Sequence, residues 1–157
     1  MILEEQVVKK IKELGFTITT AESCTGGLLA GRILNVSGAS DVYNEGHITY
    51  SNEAKERLLG VKHETLESFG AVSSQTAGEM AEGAAKAAKA EIGLSTTGIA
   101  GPGGGTPEKP VGLIYLGCHV NGETHTKKCN FPGNREENRR DAVEASLEFL
   151  MEILSKY

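Results

Sequence analysis

Apolar residues recur along this chain with two different periods, and the changes between them mark out its elements. Leu3, Val7, Ile11 and Leu14 fall on one face of a helix over residues 2–14. Gly15 follows as its stop signal. Phe16-Thr17-Ile18-Thr19-Thr20 then alternates like a strand. Polar and glycine residues separate it from the apolar Leu28-Leu29-Ala30, so a strand, a turn and a helix run across Ser23. A second strand is predicted from Val42 to Tyr50, with Ile48 and Tyr50 on one face. Residues 52–60 read as a short capped helix closed by Gly60. Ser73 or Ser74 caps a long helix to about Ala90, whose Ala77, Ala81, Ala84 and Ala88 allow close packing on a sheet. The next strand, Ile92 to Thr97, runs straight into a glycine-rich loop.

Val111 to Val120 is nearly continuously apolar, as a central strand buried on both faces requires. Asn121-Gly122 marks a two-residue hairpin. Its second strand, Glu123 to Phe131, is polar on both faces and so belongs at a sheet edge. Val143, Leu147, Leu150 and Leu154 mark a closing helix from about Arg135. Strands alternating with helices, with one late hairpin, predict an α/β fold. It is a three-layer α/β/α sandwich on a mixed five-stranded sheet, formed by residues 1–157 as one domain. In such folds ligands gather beyond the carboxyl ends of the strands. Ser23 and the glycine loop both fall there.

Composition narrows the function classes. Hydrophobic residues at 39% and charged residues at 24% describe an ordinary globule. A net charge of −5 argues against a nucleic-acid partner, which needs a basic surface to displace counterions. It leaves room for a small anionic ligand in a locally positive pocket. No apolar run approaches the ~18–20 residues that cross a bilayer, so no membrane partner is expected. The first residues lack the basic start and apolar core of a signal peptide. Cys24, Cys118 and Cys129 are odd in number and form no CxxC pair, which fits a reducing, cytoplasmic setting. The four histidines show no metal-ligand spacing.

The candidate chemistry sits in four segments. Ser23 lies just past a strand near a helix start, where free backbone N–H groups can hold an oxyanion formed by hydroxyl attack on an amide. Gly26 and Gly27 let the backbone approach a ligand there. On pattern alone an N-cap role for Ser23 or Thr25 is the favoured reading, and Cys24, a rival nucleophile, reads first as a buried thiol. Tyr50 ends a predicted strand and Lys55 begins the next helix, so both reach one cleft. Lysine deprotonates a serine only if its pKa falls from ~10.4 toward ~7–8. Residues 98–105 hold Gly98, Gly101, Gly103, Gly104 and Gly105, an anion-binding nest or else a surface loop. This is neither a Walker A loop nor a GxGxxG motif. Arg135 and Arg139, four apart, share a helix face suited to clamping a phosphate or carboxylate.

Together these segments resemble the CinA carboxy-terminal family, the competence-damage-inducible or nicotinamide-nucleotide amidase family. The matching stretches are Thr20 to Gly27 (TAESCTGG), Ile48 to Lys55 (ITYSNEAK), Gly70 to Ser73 (GAVS), Thr96 to Gly105 with Lys109 to Gly112, and Phe131 to Arg139. The resemblance implies hydrolysis of the carboxamide of nicotinamide mononucleotide to nicotinate mononucleotide and ammonia. It implies a serine–lysine site without metal or cofactor, and a small-molecule nucleotide as the partner. Position by position, Ser23 matches the nucleophile, Lys55 the base, Tyr50 a proton-relay or orienting residue, and Thr97 a residue lining the site. Backbone donors from Thr25 to Gly27 would hold the oxyanion. The 98–105 loop, Lys109, Arg135 or Arg139 would bind the phosphate.

Two features depart from the family pattern. A glycine pair before the second motif is replaced by Glu45-Gly46, and a carboxylate pointing inward there would raise the pKa of Lys55. Longer members carry a molybdopterin-binding-like domain ahead of this unit, whose functions the resemblance does not bring to this chain. The competing expectation is a non-catalytic nucleotide-binding or regulatory module. A homo-oligomer would form through the alanine-rich helix or the polar edge strand.

Overall fold

The computed structural model describes residues 1–157. Its strands are β1 (Ile18–Glu22), β2 (His47–Ile48), β3 (Ile92–Gly98), β4 (Leu113–Val120) and β5 (Glu123–Asn130). They form one sheet in the order β2-β1-β3-β4-β5. β1 runs parallel to β2 and β3, whereas β4 is antiparallel to both β3 and β5. Helices α1 (Leu3–Leu14), α2 (Leu28–Leu34) and α6 (Arg135–Leu154) cover one face. Helices α3 (Asn52–Leu59), α4 (His63–Phe69) and α5 (Ser74–Ala88) cover the other. The expected α/β/α layering on a mixed five-stranded sheet is therefore the architecture observed.

Each face has its own core. Val7, Ile11, Leu29, Ile33, Leu147 and Leu150 pack on Ile18, Leu94 and Leu116, while Leu59, Leu66, Met80 and Ala84 pack on the opposite side with Ala21. Fully burying one such leucine or isoleucine contributes about 1.5–3 kcal/mol. The local signals explain the boundaries. Ser51 and Ser73 cap α3 and α5 by accepting from the N–H groups of Ala54 and Thr76, each at 3.1 Å. Asn134 and Glu137 close a reciprocal capping box on α6.

The alanine face of α5 lies against the sheet, with Ala77, Ala81 and Ala84 fully buried. That face is consumed inside the molecule, so of the two surfaces considered for self-association only the β5 edge stands free. The fit depends on glycines in the strands below. A Cβ built on Gly117 would sit 2.3 Å from both the Ala77 carbonyl oxygen and Ser95 Oγ, which are themselves hydrogen-bonded at 2.6 Å. Gly117→Ala is expected to push α5 off β4 and cost about 2 kcal/mol of stability, measured by urea denaturation.

Three expectations need correction. The first strand begins two residues later than its alternation suggested, at Ile18, and extends through Glu22. The strand expected over 42–50 contracts to His47–Ile48. Before it the backbone pairs once, the Ile18 N–H donating to the Val42 carbonyl at 2.8 Å, and β1 side chains span the rest: Thr19 Oγ1 donates to the Glu45 carbonyl at 2.7 Å, and the Thr20 and Tyr43 hydroxyls meet at 2.8 Å. A short edge strand is also a poor template for unwanted pairing. Ile48 and Tyr50 both face outward, and neither joins a core. Finally, α4 has no counterpart in the sequence-based expectations; only Thr65 and Leu66 of its residues are buried.

Candidate active site

Ser23 stands one residue beyond β1, where its N–H still donates to the Thr96 carbonyl at 3.0 Å. Gly26 (φ 54°) and Gly27 (φ 105°) then adopt left-handed conformations that reverse the chain into α2. Gly27 offers α2 no capping side chain. The buried Glu22 carboxylate takes over, accepting from the N–H groups of Leu29 at 2.8 Å and Ala30 at 3.1 Å. It also accepts from Thr25 Oγ1 at 2.5 Å. Thr25 thereby spends its one hydroxyl proton, so the 2.7 Å contact with Thr96 Oγ1 is donated by Thr96. From the other side, Arg139 of α6 donates to the carbonyls of Cys24 (2.9 Å) and Thr25 (3.2 Å). The turn carrying Ser23 is thus held by β3, α2 and α6 together.

Lys55, in the first turn of α3, is 1% exposed and aims its ammonium nitrogen at Ser23. Nζ lies 3.0 Å from Ser23 Oγ, 2.7 Å from the Thr49 carbonyl oxygen and 3.4 Å from that of Tyr50. No carboxylate lies within ion-pairing distance of it. Burial therefore pulls its pKa from 10.5 down to about 8. The three neighbours suit the neutral amine. Two carbonyls accept its two N–H groups, and the lone pair is left for the Ser23 hydroxyl proton. Glu45 does not oppose this: its half-exposed carboxylate lies 3.9 Å from His47 Nε2.

Ser23 and Lys55 open into a cavity of about 260 Å³. Thr97 and Gly98 at the end of β3 form one wall, and Gly101, Gly103 and Gly104 form another. Thr97 Oγ1 donates to the Ala71 carbonyl at 2.8 Å. Tyr50 and Arg135 stand at the mouth. Arg135 bridges the two sides, donating to the Gly101 carbonyl at 2.8 Å and to the Tyr50 hydroxyl at 3.2 Å. Tyr50 meets Lys55 through its backbone carbonyl, and its exposed ring faces the entrance instead of the amine. Cys24 shares the wall, but burial pushes its thiol up to about 12, which keeps it protonated at neutral pH.

The remaining candidates lie elsewhere. Gly105 and Lys109 do not line the cavity, and Lys109 Nζ donates to the Phe69 carbonyl at 2.6 Å. Gly27 and Arg139 line a neighbouring groove. Gly26 donates its N–H to the Ser23 carbonyl at 3.2 Å, whereas the N–H groups of Thr25 and Gly27 have no acceptor in the protein. Glu22 and Asn138, both buried beside the site, were not singled out from sequence. Glu22 carried a signal, since a carboxylate closing a buried strand requires partners. Asn138 carried none; its side chain ties the Ala100 and Gly133 carbonyls to α6, each at 3.0 Å.

With this geometry in hand, known proteins supply the relationship. The CinA C-terminal domain model matches residues 1–154. A CinA-like protein of Kosmotoga olearia is 59% identical over 152 residues, covering 97% of this chain and 37% of that protein. The chain thus spans little more than a third of the curated relatives it matches. The crystal structure of competence/damage inducible protein CihA from Agrobacterium tumefaciens superposes with a TM-score of 0.93 at 44% identity, covering 98% and 93% of the two chains. A CinA superfamily protein from Klebsiella pneumoniae superposes with a TM-score of 0.95 at 34% identity, covering 99% and 97%. No helix here is long and apolar enough to cross a membrane. Agreement in sequence over nearly the whole chain, and in fold over the same span, leads to one conclusion: the chain belongs to the CinA C-terminal domain family.

Proposed function

We propose that this chain hydrolyses a carboxamide through an acyl-enzyme on Ser23, with nicotinamide mononucleotide as substrate and nicotinate mononucleotide and ammonia as products. The observation that carries the chemistry is the 3.0 Å contact between Ser23 Oγ and a buried lysine with no carboxylate partner. The sequence motifs shared with the family support the choice of substrate.

In the proposed cycle neutral Lys55 takes the Ser23 proton directly as Oγ attacks the amide carbon. Its other two hydrogens stay on the Thr49 and Tyr50 carbonyls, which fix the lone pair on the hydroxyl. The oxyanion is held by free backbone N–H groups: that of Thr25 on the nucleophile turn, and those of Gly101, Gly103 and Gly104 on the facing loop. When the intermediate collapses, the Lys55 ammonium returns its proton to the departing nitrogen, which leaves as ammonia. Lys55, neutral again, deprotonates a water that hydrolyses the ester and restores Ser23. Tyr50 and Arg135 guard the entrance, and Thr97 shapes the wall beside the ring.

An ammonia-release assay over a panel of nicotinamide mononucleotide, nicotinamide riboside and simple aliphatic amides tests the reading. Ammonia is expected from the mononucleotide with multiple turnovers, and Cys24→Ala should change the rate by less than roughly tenfold. Binding of the mononucleotide without ammonia release would overturn it in favour of a non-catalytic module.

A further inference from the structure

The sheet ends in two edges of unequal length. β2 offers only two residues. β5 has eight, contains no proline, and keeps one unbroken register with β4 from Glu123 to Asn130. It is the last strand of the sheet, and Thr124, Thr126, Lys127, Lys128 and Asn130 are exposed. The two-residue turn makes Val120 and Glu123 a hydrogen-bonded pair. At the far end the Phe131 N–H donates to the Gly112 carbonyl at 2.9 Å, in the same phase. The odd-numbered residues of β5 therefore bond to β4. Thr124, Thr126, Lys128 and Asn130 point their N–H and C=O groups away from it, and no other segment takes these groups up. Natural sheets blunt such an edge or pair it.

The side chains alternate between two faces. Glu123, His125 and Lys127 stand on the α6 face, where Lys127 Nζ lies 5.9 Å from the centre of the Phe149 ring and Glu123 Oε2 lies 3.7 Å from His125 Nε2. Thr124 and Thr126 stand on the α5 face, their methyls 3.4 Å from the place a Cβ on Gly78 would take. One face of the edge thus carries an acid and a base placed symmetrically about His125. Such a pattern complements itself when the strand is turned end for end.

We propose that β5 docks a second copy of this chain, the two β5 strands pairing antiparallel about a twofold axis through His125 so that the two sheets become one. The axis sets Thr124 of each copy opposite Thr126 of the other, where their outward N–H and C=O groups bond in both directions. It sets Glu123 of each copy opposite Lys127 of the other at a non-hydrogen-bonded position, where cross-strand side chains come closest. Lys128 falls opposite Gly122 in the turn and keeps its ammonium in water. Lysine on an edge ordinarily deters pairing; the opposing Glu123 removes that deterrent in this register. Other registers are poorer. An axis through Thr126 leaves Glu123 opposite Cys129, and one through Lys127 sets two lysines face to face. The occupant is a second copy because a twofold interface uses one patch twice, and this patch matches itself. β3 and β4 separate β1, which leads into Ser23, from the pairing edge, so the interface does not depend on the proposed reaction.

Sedimentation velocity over a series of micromolar concentrations tests the proposal. Wild type should reach a dimer. Glu123→Lys and Lys127→Glu should each raise the dimer dissociation constant about tenfold or more, because each turns two attractive cross-strand pairs into repulsive ones. Both positions are exposed, so neither change threatens the fold. An equimolar mixture of the two variants should recover the dimer, since one chain then offers two lysines to the other's two glutamates. Thr126→Pro removes an outward N–H and no bond to β4, and should be monomeric with an unchanged circular-dichroism spectrum. A wild type that stays monomeric, or a dimer indifferent to both charge reversals, would overturn the proposal. So would a mixture of the two variants that stays monomeric, because only the register through His125 sets these two charges face to face.

Discussion

Lys55→Met is expected to lower kcat/KM for amide hydrolysis by about 10³-fold, and Ser23→Ala by at least as much. Both substitutions should leave the fold intact. Ser23 Oγ makes one side-chain contact, with Lys55, so its loss costs the packing little. Methionine keeps the length of the lysine stem at a buried position. In the proposed mechanism nucleophile and base act as a unit, so the double variant should be no slower than the slower single one. The pH profile carries the mechanistic content. The base works only when neutral, and burial holds its pKa near 8. The rate at limiting substrate should therefore climb with pH to about 8 and level off above it. A rate that is flat from pH 6 to 9, or one that falls across that range, would remove Lys55 as the base even if the variant were dead.

Lys55 also leaves a signature in stability, independent of any substrate. Its folded pKa of about 8 lies below the ordinary value of 10.5. Between those values the unfolded chain holds a proton that the folded chain has lost, so stability rises with pH across this window. Below pH 8 both states are protonated and the cost of burying the charge is carried in full; above 10.5 it is gone. The gap corresponds to about 3 kcal/mol. Cys24 and Cys118, both held up to about 12 by burial, titrate in the opposite sense at the alkaline end. The proper measurement is therefore the difference between wild type and Lys55→Met in urea denaturation, taken from pH 7 to 10.5. Wild type should gain about 3 kcal/mol on the variant over that range. A constant difference would show a lysine of ordinary pKa.

The elements that could be read from the chain were those whose signals are local. The α1 stripe, the Gly15 stop, the serine cap of α5, the Asn121-Gly122 hairpin and the apolar β4 all emerged within a residue or two of where they lie. Those that could not be read depend on partners distant in sequence. Nothing between Val42 and Gly46 announces that the side chains of Thr19 and Thr20 will take over the work of a ladder. The exposed α4 presents too few apolar positions for a periodicity to show. Within the site, the motif spacing singled out Ser23, Lys55, Thr97 and the glycine loop, which the fold brings around one cavity. It also singled out Lys109 and Gly105, which lie apart, because membership of a motif says nothing about direction. Glu22 and Asn138 were passed over because a buried polar group is recognised by its partners, and those lie in other elements.

The sequence by itself determined the order of the elements apart from α4, the mixed sheet with its polar edge, and the family. Periodicity, caps and turn residues act over a few positions, and the motifs are strings. Only the tertiary structure decided that Lys55 is buried against Ser23 with a lowered pKa. Its nearest groups are a serine 32 residues away and the two carbonyls at the end of the edge strand. Its depressed pKa comes from being enclosed between layers, a property that no single segment possesses. The same holds for Gly27 and Arg139, whose shared groove exists only once α2 lies beside α6.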